Sequence, residues 1–176
     1  MMRAVIIDRD GVINHNRPDY VKKATEWHAI DGSLEAIARL SQAKFKVFIA
    51  SNQAAIARGL FDHSDLHRIH RKMLHELEAL GGDVDGFFFS PVLQGACRKP
   101  NPGMLLDIAS RTGIKLTETP FIGDSLKDLQ AAERAGAIPV LVRTGNGLQT
   151  LAQPEMPKDV KVFDNLSLAV AHILHE

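Results

Sequence analysis

Ala4-Val5-Ile6-Ile7-Asp8-Arg9-Asp10-Gly11-Val12 is the stretch that decides how the rest of this chain reads. Four apolar residues, β-branched ones among them, predict a buried strand, and Gly11 marks the sharp turn that ends it. Asp8 and Asp10 then stand two residues apart at the carboxyl end of that strand. Open α/β sheets bind their ligands at this edge. Such a pair is able to hold a hard cation and to supply both a nucleophile and a proton donor. An isolated Asp-x-Asp is better read as an Asx-turn or a helix cap, so its weight depends on the motifs elsewhere in the chain.

Beyond this strand the chain alternates short apolar runs with helical patterns. Strands are predicted at Arg3–Ile7, Lys46–Ala50, Gly86–Phe89, Thr119–Ile122, Val140–Val142 and Val160–Phe163. Helices are predicted at Ser33–Ala43, Ser64–Leu80, Gly103–Thr112, Leu126–Ala135 and Ser167–Leu174. This order predicts an α/β fold, a Rossmann-like three-layer sandwich around a mainly parallel sheet. Asp31-Gly32-Ser33 opens a helix, and Gly113 and Gly136 close two others. Leu66, Ile69, Met73, Leu77 and Leu80 form an apolar stripe at helical spacing, read as core. His63, His67 and His70 occupy another face of that helix. Their spacing suits a metal, but helix histidines without further ligands are usually solvated. Gln149–Lys158, with Pro154 and Pro157, reads as a surface loop. No shift in composition divides the chain, so residues 1–176 are expected to form a single domain. Asn14–Asp31 is too short for a large cap domain and is expected to be at most a flap.

Composition excludes several roles. The 176 residues carry 21 Lys plus Arg and 21 Asp plus Glu, a formal net charge of zero. No global field recruits nucleic acid, and there is little aromatic interleaving to stack bases. No stretch approaches the ~20 apolar residues of a membrane span, and no signal peptide is recognisable. The single cysteine, Cys97, permits no internal disulfide. A cytoplasmic monomer acting on a small molecule is expected.

Three later motifs supply the missing parts of one site. Ser51-Asn52-Gln53 follows Val47-Phe48-Ile49-Ala50. Arg98-Lys99-Pro100 precedes a helix. Gly123-Asp124-Ser125-x-x-Asp128 follows Phe121-Ile122. Each alone has a plain structural reading, as a turn, a solvated pair or an N-cap. All four in order, each at the sheet's ligand-binding edge, resemble the haloacid dehalogenase superfamily of phosphohydrolases, over nearly the whole chain. The resemblance implies phosphoryl transfer through an aspartyl-phosphate. Asp8 is then the nucleophile and Asp10 the general acid and base. Asp8, Asp124 and the backbone carbonyl of Asp10 would hold Mg2+. Ser51 and Lys99 would hold the equatorial phosphoryl oxygens, with backbone N–H groups near Gly11 and Asn52 as further donors. Asp128 would orient the metal's waters or Lys99, next to Ser125.

A closer resemblance lies in Asp8–Asn14, in Ser51-Asn52-Gln53-Ala54-Ala55-Ile56-Ala57-Arg58-Gly59 and in Cys97–Met104. These are similar to the branch containing D-glycero-D-manno-heptose 1,7-bisphosphate 7-phosphatases and histidinol-phosphate phosphatases, whose members lack a large cap. The Asn52–Gly59 stretch and Leu141-Val142-Arg143-Thr144-Gly145 lean toward the heptose enzyme of lipopolysaccharide precursor synthesis. By that resemblance Asn16 to Tyr20, including Asp19, would line the sugar side with Gln53 and Arg98. Arg98 suits the second phosphate of a bisphosphate, because a guanidinium matches phosphate oxygens in a fork. Against the cationic amine of histidinol phosphate it is the wrong partner. Many members of the branch carry a zinc loop with a Cys-x-His and a Cys-x-Cys. Here the corresponding stretch, Ser90–Cys97, keeps only Cys97, so no structural Zn2+ is expected and Cys97 is expected to be a packed thiol. The rivals are histidinol-phosphate phosphatase and, from another class, an inactive phosphate-binding regulatory module.

Overall fold

The computed structural model describes residues 2–175. Six strands, β1 (Ala4–Ile7), β2 (Lys46–Asn52), β3 (Gly86–Ser90), β4 (Pro120–Gly123), β5 (Ile138–Val142) and β6 (Lys161–Phe163), form one open sheet. The helices are α1 (Ser33–Gln42), α2 (His63–Glu78), α3 (Gly103–Thr112), α4 (Leu126–Ala135), α5 (Gly147–Leu151) and α6 (Leu166–His175). The strand order is β3-β2-β1-β4-β5-β6, and every neighbouring pair is parallel. The chain leaves β1 toward β2 on one side and returns to β4 on the other. The crevice at the carboxyl ends of β1 and β4 is therefore the topological switch point, where such sheets bind ligands.

Alternation along the strands sorts the core into two layers. Val5, Ile7, Val47, Ile49, Ile122, Val140 and Val142 face α1, α2 and α6. Ala4, Ile6, Phe48, Ala50 and Phe121 face α3 and α4. A sheet covered on both faces needs continuous apolar runs rather than alternating ones, which is why β1 could be read as four apolar residues in a row. Fully buried side chains such as Phe121 and Ile7 each contribute about 1.5–3 kcal/mol. The predicted three-layer α/β architecture is the observed one.

The boundaries differ in informative places. β2 runs two residues past Ala50, so Ser51 and Asn52 are strand residues whose β3 partners are Phe89 and Ser90. α2 begins at His63 because Asp62 caps it in a reciprocal capping box with Asp65. The surface loop expected at Gln149–Lys158 is corrected over its first three residues, which belong to α5 with Thr150 buried, while 152–158 form the expected loop. The Asn14–Asp31 segment is pinned at both ends. Trp27 is fully buried in the α1/α2 layer, its carbonyl accepts from Lys72 Nζ at 2.7 Å, and Ile30 N–H donates to Ile13 O at 2.9 Å.

Candidate active site

Asp8 leaves β1, Lys99 comes from the turn before α3, Asp124 leaves β4, and Asp128 lies in the first turn of α4. The sheet brings these four together. The buried Lys99 ammonium directs its three protons to Asp8 Oδ1 at 2.9 Å, Asp128 Oδ1 at 2.6 Å and Ala50 O at 2.8 Å. It also sits 5.3 Å from the centroid of the Phe121 ring. Burial alone would push Lys99 toward its neutral form, but Asp128 and Asp8 outweigh it and hold its pKa above the usual lysine value. Ser125 fixes the other oxygen of Asp128. Its hydroxyl donates to Oδ2 at 2.7 Å and its N–H at 3.1 Å, closing the capping box of α4.

Asp8, Asp124 and Asp128 present carboxylate oxygens within 4.8 Å of one another, all buried. One ammonium faces these three acids, leaving an excess of two negative charges. Burial and the Asp128 charge push the Asp8 carboxyl well above its usual range. The same two causes raise Asp124 to about 7. Buried carboxylates under such mutual repulsion fit a hard divalent cation, which removes the penalty by pairing with the ionised forms.

Asp124 is held by its surroundings on every side. Oδ2 accepts from Asn146 N–H at 2.8 Å, and the backbone O accepts from the Thr150 hydroxyl at 2.8 Å. Gly11 and Gly145 wall it in. A Cβ at either position would collide with Asp124 Oδ2, and both residues adopt positive φ, +84° and +57°. The Thr144 hydroxyl ties the two walls together by donating to Gly11 O at 2.7 Å.

Asp10 occupies a different electrostatic setting. Its Oδ1 accepts from Arg9 Nε and Nη2 at 3.1 and 2.9 Å and from Asn14 Nδ2 at 2.9 Å. Its Oδ2 accepts from Arg9 Nη2 and Gln53 Nε2, both at 3.1 Å. Burial raises its pKa, but the Arg9 charge and these hydrogen bonds outweigh burial and leave it below the usual range.

The site opens into a cleft of about 680 Å³, lined among others by Asp8, Asp10, Tyr20, Arg98, Asp124 and Ser125. Several residues expected to touch substrate have other partners. The Gln53 amide is buried and donates to Asp10 and to Ser51 Oγ at 2.7 Å. Asn52 lines the cleft, but its amide clamps the backbone of Lys99, donating to its O at 2.9 Å and accepting from its N–H at 3.1 Å. Asp19 is exposed in an ion-pair network with Arg17 and Lys22. Asn16 is exposed. Tyr20 reaches the cleft through a left-handed backbone turn, φ +66°. Arg98 lies in the cleft wall with Nη1 on Val92 O at 3.2 Å. Cys97 is exposed, which corrects the expectation of a packed thiol. Its loop makes successive turns, Arg98 N–H to Gly95 O and Asn101 N–H to Arg98 O, at the surface. His70 is corrected too. It is buried and its Nε2 faces Arg9 Nη1 at 3.3 Å, whereas His63 and His67 are exposed.

Sequence reasoning missed Arg9, Asn146 and Thr150, and the cations Arg58 and Lys127 that join the cleft lining. The Asn146 signal was present in the turn-rich Thr144-Gly145-Asn146-Gly147 after β5, at the same sheet edge as the other motifs.

A family model described as HAD-hydrolase-like matches residues 96–169, the part that supplies Lys99, Asp124 and Asp128. A Bordetella bronchiseptica protein named D-glycero-beta-D-manno-heptose-1,7-bisphosphate 7-phosphatase is 48% identical over 178 residues, covering 99% of each chain. A Pseudomonas aeruginosa protein of the same name is 42% identical and covers 97% of each. The crystal structure of D,D-heptose 1,7-bisphosphate phosphatase from B. bronchiseptica, complexed with magnesium and phosphate, superposes with a TM-score of 0.96 at 48% identity, covering 99% of both chains. In class, the fold is that of a HAD-like hydrolase. The chain belongs to the family of D-glycero-beta-D-manno-heptose-1,7-bisphosphate 7-phosphatases.

Proposed function

We propose that this chain hydrolyses the 7-phosphate of D-glycero-beta-D-manno-heptose 1,7-bisphosphate, within lipopolysaccharide precursor synthesis, using Mg2+. The observation that carries the reading is the buried Asp8–Lys99–Asp128 chain with Asp124 beside it, all four in the lining of one cleft. Relatives bearing that name cover essentially the whole chain. The β-anomer is taken from them.

Asp8 is the nucleophile. Lys99 holds only its Oδ1, and the carboxylate attacks phosphorus to form an aspartyl-phosphate. Asp10 protonates the departing C7 alkoxide and then takes a proton from the water that cleaves the acyl phosphate. Lys99 and Ser51 stabilise the phosphoryl oxygens as charge shifts onto them. Asp8, Asp124 and the Asp10 backbone carbonyl hold Mg2+, which neutralises charge on the transferring group. The Asp10 side chain is committed to Arg9, Asn14 and Gln53, so only its backbone serves the metal. Asp128 acts by holding Lys99. Arg98 receives the 1-phosphate in a cleft that Arg58 and Lys127 also line, and Tyr20 borders the sugar. The protein acts as a cytoplasmic monomer of one domain. Among the described residues no helix is long and apolar enough to cross a membrane.

The test is phosphate release from the β- and α-anomers of the bisphosphate and from histidinol phosphate, with Mg2+ or chelator. The reading expects the highest kcat/KM on the β-bisphosphate and none in chelator or with Asp8→Asn. Faster turnover of histidinol phosphate, or turnover by Asp8→Asn equal to the parent's, overturns it.

A further inference from the structure

Arg9 lies between the two acids of the Asp-x-Asp motif, yet its side chain is fully buried. Its guanidinium grips Asp10 with Nε and Nη2. The third nitrogen, Nη1, points the other way, toward His70 Nε2 at 3.3 Å. A guanidinium only donates, so Nε2 must be the acceptor and the ring proton sits on Nδ1. The ring is fixed in that pose. It stacks on Phe87 with centroids 4.2 Å apart and planes 13° from parallel, and it meets Phe89 edge-on at 6.5 Å. Burial, with Arg9 alongside, drives its pKa down to about 3, so the acceptor lone pair is open throughout the working range.

We infer that His70, on α2, is a positioning residue for Asp10 and acts through the buried Arg9 guanidinium. The inference rests on the assignment of Asp10 as acid and base. Arg9 can hold Asp10 in one pose only if all of its nitrogens are matched, because an unpaired buried N–H draws the group toward another acceptor. His70 supplies the match from a helix outside the phosphate site. It belongs neither to the three-carboxylate cluster nor to the residues that line the cleft, so its effect on the reaction passes through how Asp10 is aimed. This gives a role to one of the three histidines of α2 and removes it as a metal ligand. An imidazole nitrogen accepting from arginine has no lone pair left for a cation.

The experiment uses the Mg2+-loaded protein with His70→Phe, which keeps the stack on Phe87 but has no acceptor, and His70→Gln, which has one. The readout is kcat/KM on the heptose bisphosphate and on p-nitrophenyl phosphate. An alkoxide must be protonated as it leaves, whereas nitrophenolate leaves unaided. Since a general acid contributes ~10²–10⁴-fold, partial misaiming by His70→Phe is expected to lower kcat/KM about tenfold on the sugar but less than about twofold on the aryl phosphate. His70→Gln should stay within about twofold of the parent on both. Equal losses on the two substrates, parental rates in His70→Phe, or a glutamine variant as impaired as the phenylalanine one overturns the inference. If His70→Phe does not fold, His70→Leu carries the same comparison. An inactive parent sinks the proposed function and this inference together, whereas an active parent with an unaffected His70→Phe sinks this inference alone.

Discussion

Replacing Lys99 by methionine removes the one cation from a buried cluster of three carboxylates and leaves the packing volume nearly intact. The contacts at 2.9 Å to Asp8 and 2.6 Å to Asp128 correspond, at an effective dielectric of about 20, to roughly 6 kcal/mol of attraction each. The desolvation of the buried ammonium offsets several kcal/mol of that, and removing one partner of a buried ionic set typically costs about 3–5 kcal/mol. For a chain of this size each kcal/mol lowers the melting temperature by about 2–4 °C. Lys99→Met in chelator should therefore melt about 10 °C below the parent. Magnesium should recover more than half of that loss, because the divalent ion replaces the missing positive charge. By the same reasoning calorimetry at alkaline pH should give a tighter Mg2+ Kd for the variant than for the parent. Turnover should still fall at least ~100-fold, the scale of losing one donor to developing oxyanion charge. A variant that binds the metal better and works worse separates the electrostatic role of Lys99 from its structural one. Equal melting temperatures in chelator, or equal stabilisation of both proteins by Mg2+, would refute this account of the cluster.

The same geometry sets other outcomes. Gly11→Ala places a Cβ against Asp124 at a positive φ. It should cost about 1–3 kcal/mol in backbone strain and weaken Mg2+ binding in titration calorimetry, while Gly113→Ala, whose Cβ meets nothing within 4 Å, should pay the strain without the metal effect. Asp124 carries a folded-state pKa raised from 3.8 to about 7, so the folded chain binds more protons than the unfolded one between those values. Its contribution to stability therefore falls as pH rises through that window, and melting in chelator from roughly pH 5 to 8 should decline while the stabilisation by added Mg2+ grows. Thr150→Val removes the hydroxyl from Asp124 O and Asn146 O and should cost about 1–3 kcal/mol in denaturant unfolding.

Most of the fold was legible because a sheet covered on both faces demands uninterrupted apolar runs, and β1, β2 and β4 carry them. The site acids were legible for a related reason. They immediately follow those runs, at the one edge of the sheet where loops converge. What sequence could not show was the direction of each side chain. Asn52 and Gln53 look like substrate contacts because their amides follow a strand in a recognisable motif. Nothing local reveals that Asn52 closes on the Lys99 backbone, 47 residues away, or that Gln53 turns back to Asp10. α5 was missed because five residues carry too little periodicity to oppose the nearby prolines, and short helices owe their stability to tertiary contacts such as Thr150 on Asp124. Arg9 was missed because an arginine is rarely buried unless paired, and its acceptor His70 lies 61 residues away.

The charges of the two acids also argue for how the reaction begins. In the free protein the proposed nucleophile, Asp8, is the carboxyl pushed up and the proposed acid, Asp10, the one held down, the reverse of what the first chemical step of the proposed reaction requires. Each ligand corrects one of them. A divalent cation held by Asp8 and Asp124 would offset the repulsion that favours the protonated form and would leave Asp8 ionised. A phosphate dianion arriving beside Asp10 opposes the pull of Arg9 and raises its proton affinity, so the acid is charged with its proton only when substrate is present. Under the assignment of Asp10 as acid and base, its proton leaves with the alkoxide while the phosphoryl charge stays on Asp8, and Arg9 stabilises the Asp10 carboxylate that then takes a proton from water. Arg9→Met should therefore raise the acid's pKa in both states. Its kcat profile on the bisphosphate should shift to higher pH, with the hydrolysis of the aspartyl-phosphate becoming the slow step and a burst of product appearing before steady state. A profile unmoved by the substitution would show that Arg9 holds Asp10 in place without setting its charge.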